Sequence, residues 1–177
     1  MAVASFQPAA MVFREEQNFD WRAYALVLLV EVAVSLTLFW LYQRGHDPFA
    51  NDGLRGVGLS LFALGGLAAP MLVTVGLLRM TTEVTPTDVR VWFGWVPTYR
   101  RFMSLGQIQK IEVVSFRPFW DYGGWGIRSR RDGERALIAK GNRGVRLELV
   151  DGTRLLIGSQ RPEALAVAIE RALQSGG

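Results

Sequence analysis

Two long apolar runs stand in the first half of the chain, and short alternating runs fill the second. Trp21 to Tyr42 (WRAYALVLLVEVAVSLTLFWLY) and Val57 to Leu78 (VGLSLFALGGLAAPMLVTVGLL) hold few charged residues. A hydrocarbon core of ~30 Å is crossed by about 20 helical residues, so both runs predict spanning helices. Trp21, Tyr24, Trp40 and Tyr42 stand near the ends of the first run, where amphipathic rings favour the headgroup layer. The first run begins too late, behind Glu15-Glu16, for a cleaved signal peptide, and reads as an uncleaved anchor. A buried hairpin in a globular core is the bland alternative.

After Arg79 the pattern shifts to strands. Thr81 to Val84, Val89 to Phe93, Tyr99 to Met103, Ile108 to Phe116, Ala136 to Lys140, Val145 to Val150 and Thr153 to Ile157 are β-like runs. They are parted by turn residues such as Thr85-Pro86-Thr87-Asp88, Gly141-Asn142-Arg143-Gly144 and Asp151-Gly152. Arg161-Pro162-Glu163 marks a helix start. Leu165, Ile169 and Leu173 then form one apolar stripe fit to dock on a sheet. Seven antiparallel strands closed by a C-terminal helix predict a pleckstrin-homology-like (PH-like) barrel or sandwich.

The expected organisation is an N-terminal cytoplasmic segment (1–20), a first transmembrane helix (21–42), an external loop (43–56), a second transmembrane helix (57–78) and a PH-like domain (80–174). The fold class is thus α+β, a two-helix transmembrane hairpin followed by the barrel. Arg44 and Arg55 are the basic residues of the interhelical loop, while most basic residues lie outside the hairpin. The positive-inside tendency then predicts a multi-pass protein of the cell (inner) membrane with both termini cytoplasmic.

Glu31 stands ten residues into the first run, near mid-bilayer at ~1.5 Å per residue. A charge there is opposed by about 2.5–3.5 kcal/mol. Pro70 frees the carbonyl of Gly66, and Gly65, Gly66 and Ala69 permit close helix approach. Glu31, Gly65, Gly66 and Pro70 are therefore expected to pair the helices or copies of the chain. A proton or ion path is the functional alternative.

The net charge of +4 comes mostly from arginine, with Lys110 and Lys140 the only lysines. The excess suits an anionic lipid surface and is too mixed in sign for nucleic acid. The chain lacks cysteine and has a single histidine, His46. That excludes disulfides, thiolate zinc, multi-histidine metal sites and a histidine-based triad in the strand-rich half. Gly123-Gly124-Trp125-Gly126 lacks the Lys-Ser/Thr of a phosphate loop. Asp132 and Glu134 read as solvated counter-charges in an Arg-rich loop. No cofactor, metal or catalytic set is expected, so the protein is predicted not to be an enzyme.

The densest chemistry lies between Phe116 and Arg131 (FRPFWDYGGWGIRSRR), with five aromatics and four arginines. Long connections of this kind in compact domains are usually functional or mobile. Trp120, Tyr122, Trp125, Arg128, Arg130 and Arg131 form the candidate binding set. Such residues suit phosphate contact and protein hot spots. The plainer alternative folds Trp125 and Ile127 back as a plug and leaves the arginines wet.

The glycine and turn segments Gly123 to Arg128, Lys140 to Val145, Asp151-Gly152 and Ile157 to Glu163 resemble those of bacterial membrane-anchored PH-like proteins. These are small proteins with two N-terminal helices and one such domain. The resemblance implies a fold and a membrane address, and no reaction. The expected function is a membrane-anchored binding or scaffold module that recognises a protein partner and anionic lipid. The rivals are a subunit of a membrane homo-oligomer or transport assembly, built through Glu31 and the glycine face of the second run, and an unrecognised membrane enzyme.

Overall fold

The computed structural model of the protein describes residues 12–44, 72, 74, 76–95 and 99–175. The chain divides into two compact units, Met1–Asp20 with Leu78–Gly177, and Trp21–Leu77. The first unit is assembled from both ends of the sequence.

Its first sheet is antiparallel and runs in the order β1 (Phe13–Asn18), β2 (Arg79–Val84), β3 (Asp88–Phe93) and β4 (Tyr99–Ser104). Strands β5 (Ile108–Ser115), β6 (Gly126–Ser129), β7 (Arg135–Ile138), β8 (Arg143–Leu149) and β9 (Arg154–Gly158) make the second. Their order is β5-β8-β9-β7-β6, with β7 parallel to β9 and the other pairs antiparallel. The helices are α1 (Trp21–Arg44), in the second unit, and α2 (Pro118–Tyr122) and α3 (Pro162–Ser175), in the first.

These observations correct three expectations. The domain holds nine strands among the described residues, with one parallel pair, in place of a seven-stranded antiparallel barrel. Each of the seven predicted strands has a counterpart; β1 and β6 are additional. Secondly, no helix among the described residues is long and apolar enough to cross a membrane. Helix α1 forms over the first apolar run as Trp21–Arg44. It also carries Glu31 at its middle, where a carboxylate is opposed by about 2.5–3.5 kcal/mol in lipid. The second apolar run lies almost wholly outside the described residues. The transmembrane hairpin is therefore overturned. Thirdly, the multi-pass inner-membrane address with cytoplasmic termini falls with it, since it rested on those spans.

The main core follows from strand alternation. Met80, Val84, Val89, Val91, Phe93 and Met103 are buried on the first sheet, and Leu137, Val145, Leu147, Leu155 and Ile157 on the second. Helix α3 buries Leu165, Ala166, Ala168, Ile169 and Ala172, contacting β2, β5 and β8. Each large side chain so buried contributes about 1.5–3 kcal/mol. Gly144 pairs with Gly158 across β8 and β9. A Cβ on Gly144 would lie 2.3 Å from the Ile157 carbonyl oxygen, so this crossing needs glycine.

Strand β1 (FREEQN) obeys the same alternation with polar residues, since Glu15 and Gln17 point inward and are buried. Ser159 Oγ donates to Glu15 Oε2 at 2.5 Å, and the Gln160 N–H donates to Oε1 at 2.9 Å. Gln17 Nε2 donates to the Gly158 carbonyl at 2.9 Å. The first strand thus clasps the junction of β9 and α3. Its end, Asn18, pairs with Arg79, so the inserted stretch leaves and re-enters the sheet at neighbouring points.

Candidate functional site: an aromatic flap on the second sheet

Strand β7 is buried on both faces, with Ala136, Leu137, Ile138 and the following Ala139 fully enclosed. One face meets the main core. The other bears Ala136, Ile138 and Leu156, which pack with Phe116 and Tyr122 in a separate small cluster. Val114 and Trp125 close its margin. The long aromatic segment is therefore a flap with a core of its own.

Local sequence explains how the flap turns. Pro118 opens α2, and the backbone N–H of Arg117 donates to Asp121 Oδ2 at 2.7 Å. Gly123 ends the helix in the left-handed region at φ 75°, where glycine is favoured. Its N–H donates to the Phe119 carbonyl at 3.0 Å, and that of Gly124 to Pro118 at 2.8 Å. The rings of Phe116 and Tyr122 meet edge to face at 5.8 Å, and those of Phe119 and Trp125 at 4.7 Å. Such pairs are worth about 0.5–1.5 kcal/mol beyond burial.

A buried carboxylate seals the cluster. Glu134, expected to be a solvated counter-charge, is 1% exposed. Tyr122 Oη donates to its Oε2 at 2.9 Å, and Arg146 Nε to its Oε1 at 2.6 Å. Arg130 approaches Oε2 at 3.7 Å. Asp132 accepts the Glu134 N–H at 3.2 Å and pairs with Arg154 at 3.0 Å. The Tyr122 phenol is held above its ordinary pKa by burial and by the bond to Glu134. Asp132 is held below the usual carboxylate range by the Glu134 N–H and by Arg154 and Arg130. With both oxygens of Glu134 engaged by donors, the carboxylate is arranged as a structural anchor.

The six predicted binding residues divide accordingly. Tyr122 is interior. Trp125 is half-buried against the cluster, and Arg128 Nε donates to its carbonyl at 2.8 Å. Arg130 braces Glu134, whereas Arg131 is exposed at the tip of the β6–β7 hairpin. Trp120 is 85% exposed, and Phe119 beside it is exposed as well. The pairing of Glu134 with Arg146 was missed because it joins the residue before β7 to a position on β8. Glu31 is half-buried in α1, and its Oε2 has no hydrogen-bond partner among the described residues. The residues expected to pair with it, Gly65, Gly66 and Pro70, lie outside the described residues.

No group of acidic residues and histidines able to hold a metal occurs among the described residues. No family model matches the chain, and no curated protein matches it.

Proposed function

We propose that this chain is a non-catalytic binding module that docks a protein partner on the α2 flap. The observation that carries this reading is Trp120, a large ring left 85% exposed on a short helix. A capping proline, a left-handed glycine and a dedicated small core fix that helix. Exposed Phe119 and the exposed Arg117, Arg128, Arg130 and Arg131 extend the surface. Tryptophan and arginine are the residues most often found at protein hot spots. Holding the ring on a packed support reduces the entropy lost on binding. The two buried carboxylates among the described residues of the domain, Glu15 and Glu134, each have both oxygens hydrogen-bonded by protein donors.

The test is retention of native partners on the immobilised chain, compared with Trp120→Ala. Loss of a hot spot of about 2 kcal/mol lowers affinity about 30-fold, with no change in melting temperature. Equal retention by the variant would refute the proposal. Equal retention of neutral and anionic vesicles would separate protein docking from contact with anionic lipid.

A further inference from the structure

We infer that the outer edge of β6 receives an acidic, extended segment of the partner as an added strand. This rests on the reading of the flap as a docking surface and names what docks there.

The geometry of the β6–β7 hairpin selects the free backbone groups. The Arg130 N–H donates to the Glu134 carbonyl at 2.8 Å. Arg128 then pairs with Ala136, and Gly126 with Ile138, in the same phase. Hydrogen-bonded pairs alternate along an antiparallel ladder. The intervening residues Ile127 and Ser129 therefore turn their N–H and C=O groups away from β7. Since β6 is the last strand of its sheet, these groups face outward. Residues Ile127 through Ser129 are all exposed.

The side chains state the occupant's chemistry. Arg128, Arg130 and Arg131 lie on or directly after the edge, and all are exposed. The nearby carboxylates are already matched, Glu134 by Arg146 and Asp132 by Arg154. Arg130 itself reaches Glu134 and Asp132 at 3.7 and 3.9 Å, so the positive charge left over on the edge is that of Arg128 and Arg131. Arginines on an edge repel a second basic edge, which limits self-pairing, and favour a strand bearing Asp or Glu. Exposed Ile127 offers an apolar contact within the same strand. Main-chain bonds supply affinity and alternate side chains supply specificity in this mode.

The probe is a labelled eight-residue peptide alternating Glu with Val, added to the full chain at low salt. It should bind with an affinity that falls as salt rises, and should slow hydrogen exchange at the Ile127 and Ser129 amides. Ser129→Pro removes an outward N–H without touching the β7 ladder, a position where proline is tolerated. That variant should melt as the parent does and bind the peptide at least about tenfold more weakly. Arg131→Glu should weaken binding and flatten its salt dependence. Should Ser129→Pro fail to fold, the amide protection pattern of the unaltered chain decides. No binding at about 1 mM peptide, or binding without protection at Ile127 and Ser129, would overturn the inference. If native partners are still lost with Trp120→Ala in that case, the docking reading stands and only the added strand fails. If Trp120→Ala retains them too, both fall.

Discussion

Glu15 and Glu134 are both buried carboxylates of one domain, yet they are held by opposite means. Glu15 receives a hydroxyl from Ser159 and a backbone N–H from Gln160. Glu134 receives a guanidinium from Arg146, a phenol from Tyr122 and a more distant guanidinium from Arg130. The first joins strand β1 to the start of α3, within the main body of the domain. The second closes a small satellite cluster under a flap, where Arg146 keeps partial access to water. Neutral donors suit a site that must not open, because neither needs solvent to stay satisfied. A cation suits a margin, because its own desolvation is incomplete there. The contrast teaches that the clasp bears global stability and the flap anchor bears local order.

The strongest test of that contrast is Glu15→Ala. It strands the Ser159 hydroxyl and the Gln160 N–H, each at about 1–3 kcal/mol. A loss of about 3–4 kcal/mol in chemical denaturation is expected, with all protected amides exchanging faster. A loss below 1 kcal/mol would break the comparison.

Next in size is Arg146→Ala, which leaves Glu134 buried without its closest cation. Breaking a fully buried pair costs about 3–5 kcal/mol, and the partial exposure of Arg146 reduces this to about 2 kcal/mol. Hydrogen exchange should rise first in residues 118–125, with the β2–β3 amides unaffected. Uniform acceleration across both sheets would merge the two regions into one.

The smallest effect belongs to Tyr122. Tyr122→Phe should cost about 1 kcal/mol, the net worth of one hydrogen bond. The phenol's pKa is higher in the folded state than in the unfolded one. Its stabilising contribution is therefore complete below the unfolded value near 10 and is lost as pH rises through the folded value. Ultraviolet titration should show one tyrosine ionising later than in the unfolded chain. The delayed phase should vanish in Tyr122→Phe.

How far the sequence disclosed these regions follows from where partners sit. The strands between Arg79 and Gly158 with apolar faces were legible, because Val-x-Val and Leu-x-Leu alternation marks burial on one side. The C-terminal helix was legible from Pro162 and from the stripe of Leu165 and Ile169. Strand β1 was not, because its inward positions are Glu15 and Gln17. Polar alternation carries a burial signal only when the donors are known, and those lie 144 and 145 residues away for Glu15. Strand β6 was hidden by its glycine and its arginine, which read as loop. At the site, the exposed Trp120 and the arginines were found as a group. The interior role of Tyr122 was invisible without Glu134, whose neighbourhood of charges imitates a solvated turn. The apolar runs misled for a related reason. Length and hydropathy summed along the sequence predicted spans, whereas no helix among the described residues is long and apolar enough to cross a membrane.

The pairing of Phe13–Asn18 with Arg79–Val84, and the bond from Glu15 to Ser159, set an order of events at the ribosome. Strand β1 leaves the exit tunnel before the other strands, yet its neighbour arrives some sixty residues later and its final hydrogen-bond donors, Ser159 and Gln160, only just before the last helix. Contacts of such sequence separation form late and slow the search. Until the segment before the last helix has been made, strand β1 waits without a seat, its two inward polar side chains still in water. The polar character of FREEQN suits that wait, since an apolar strand held open for so long would invite aggregation.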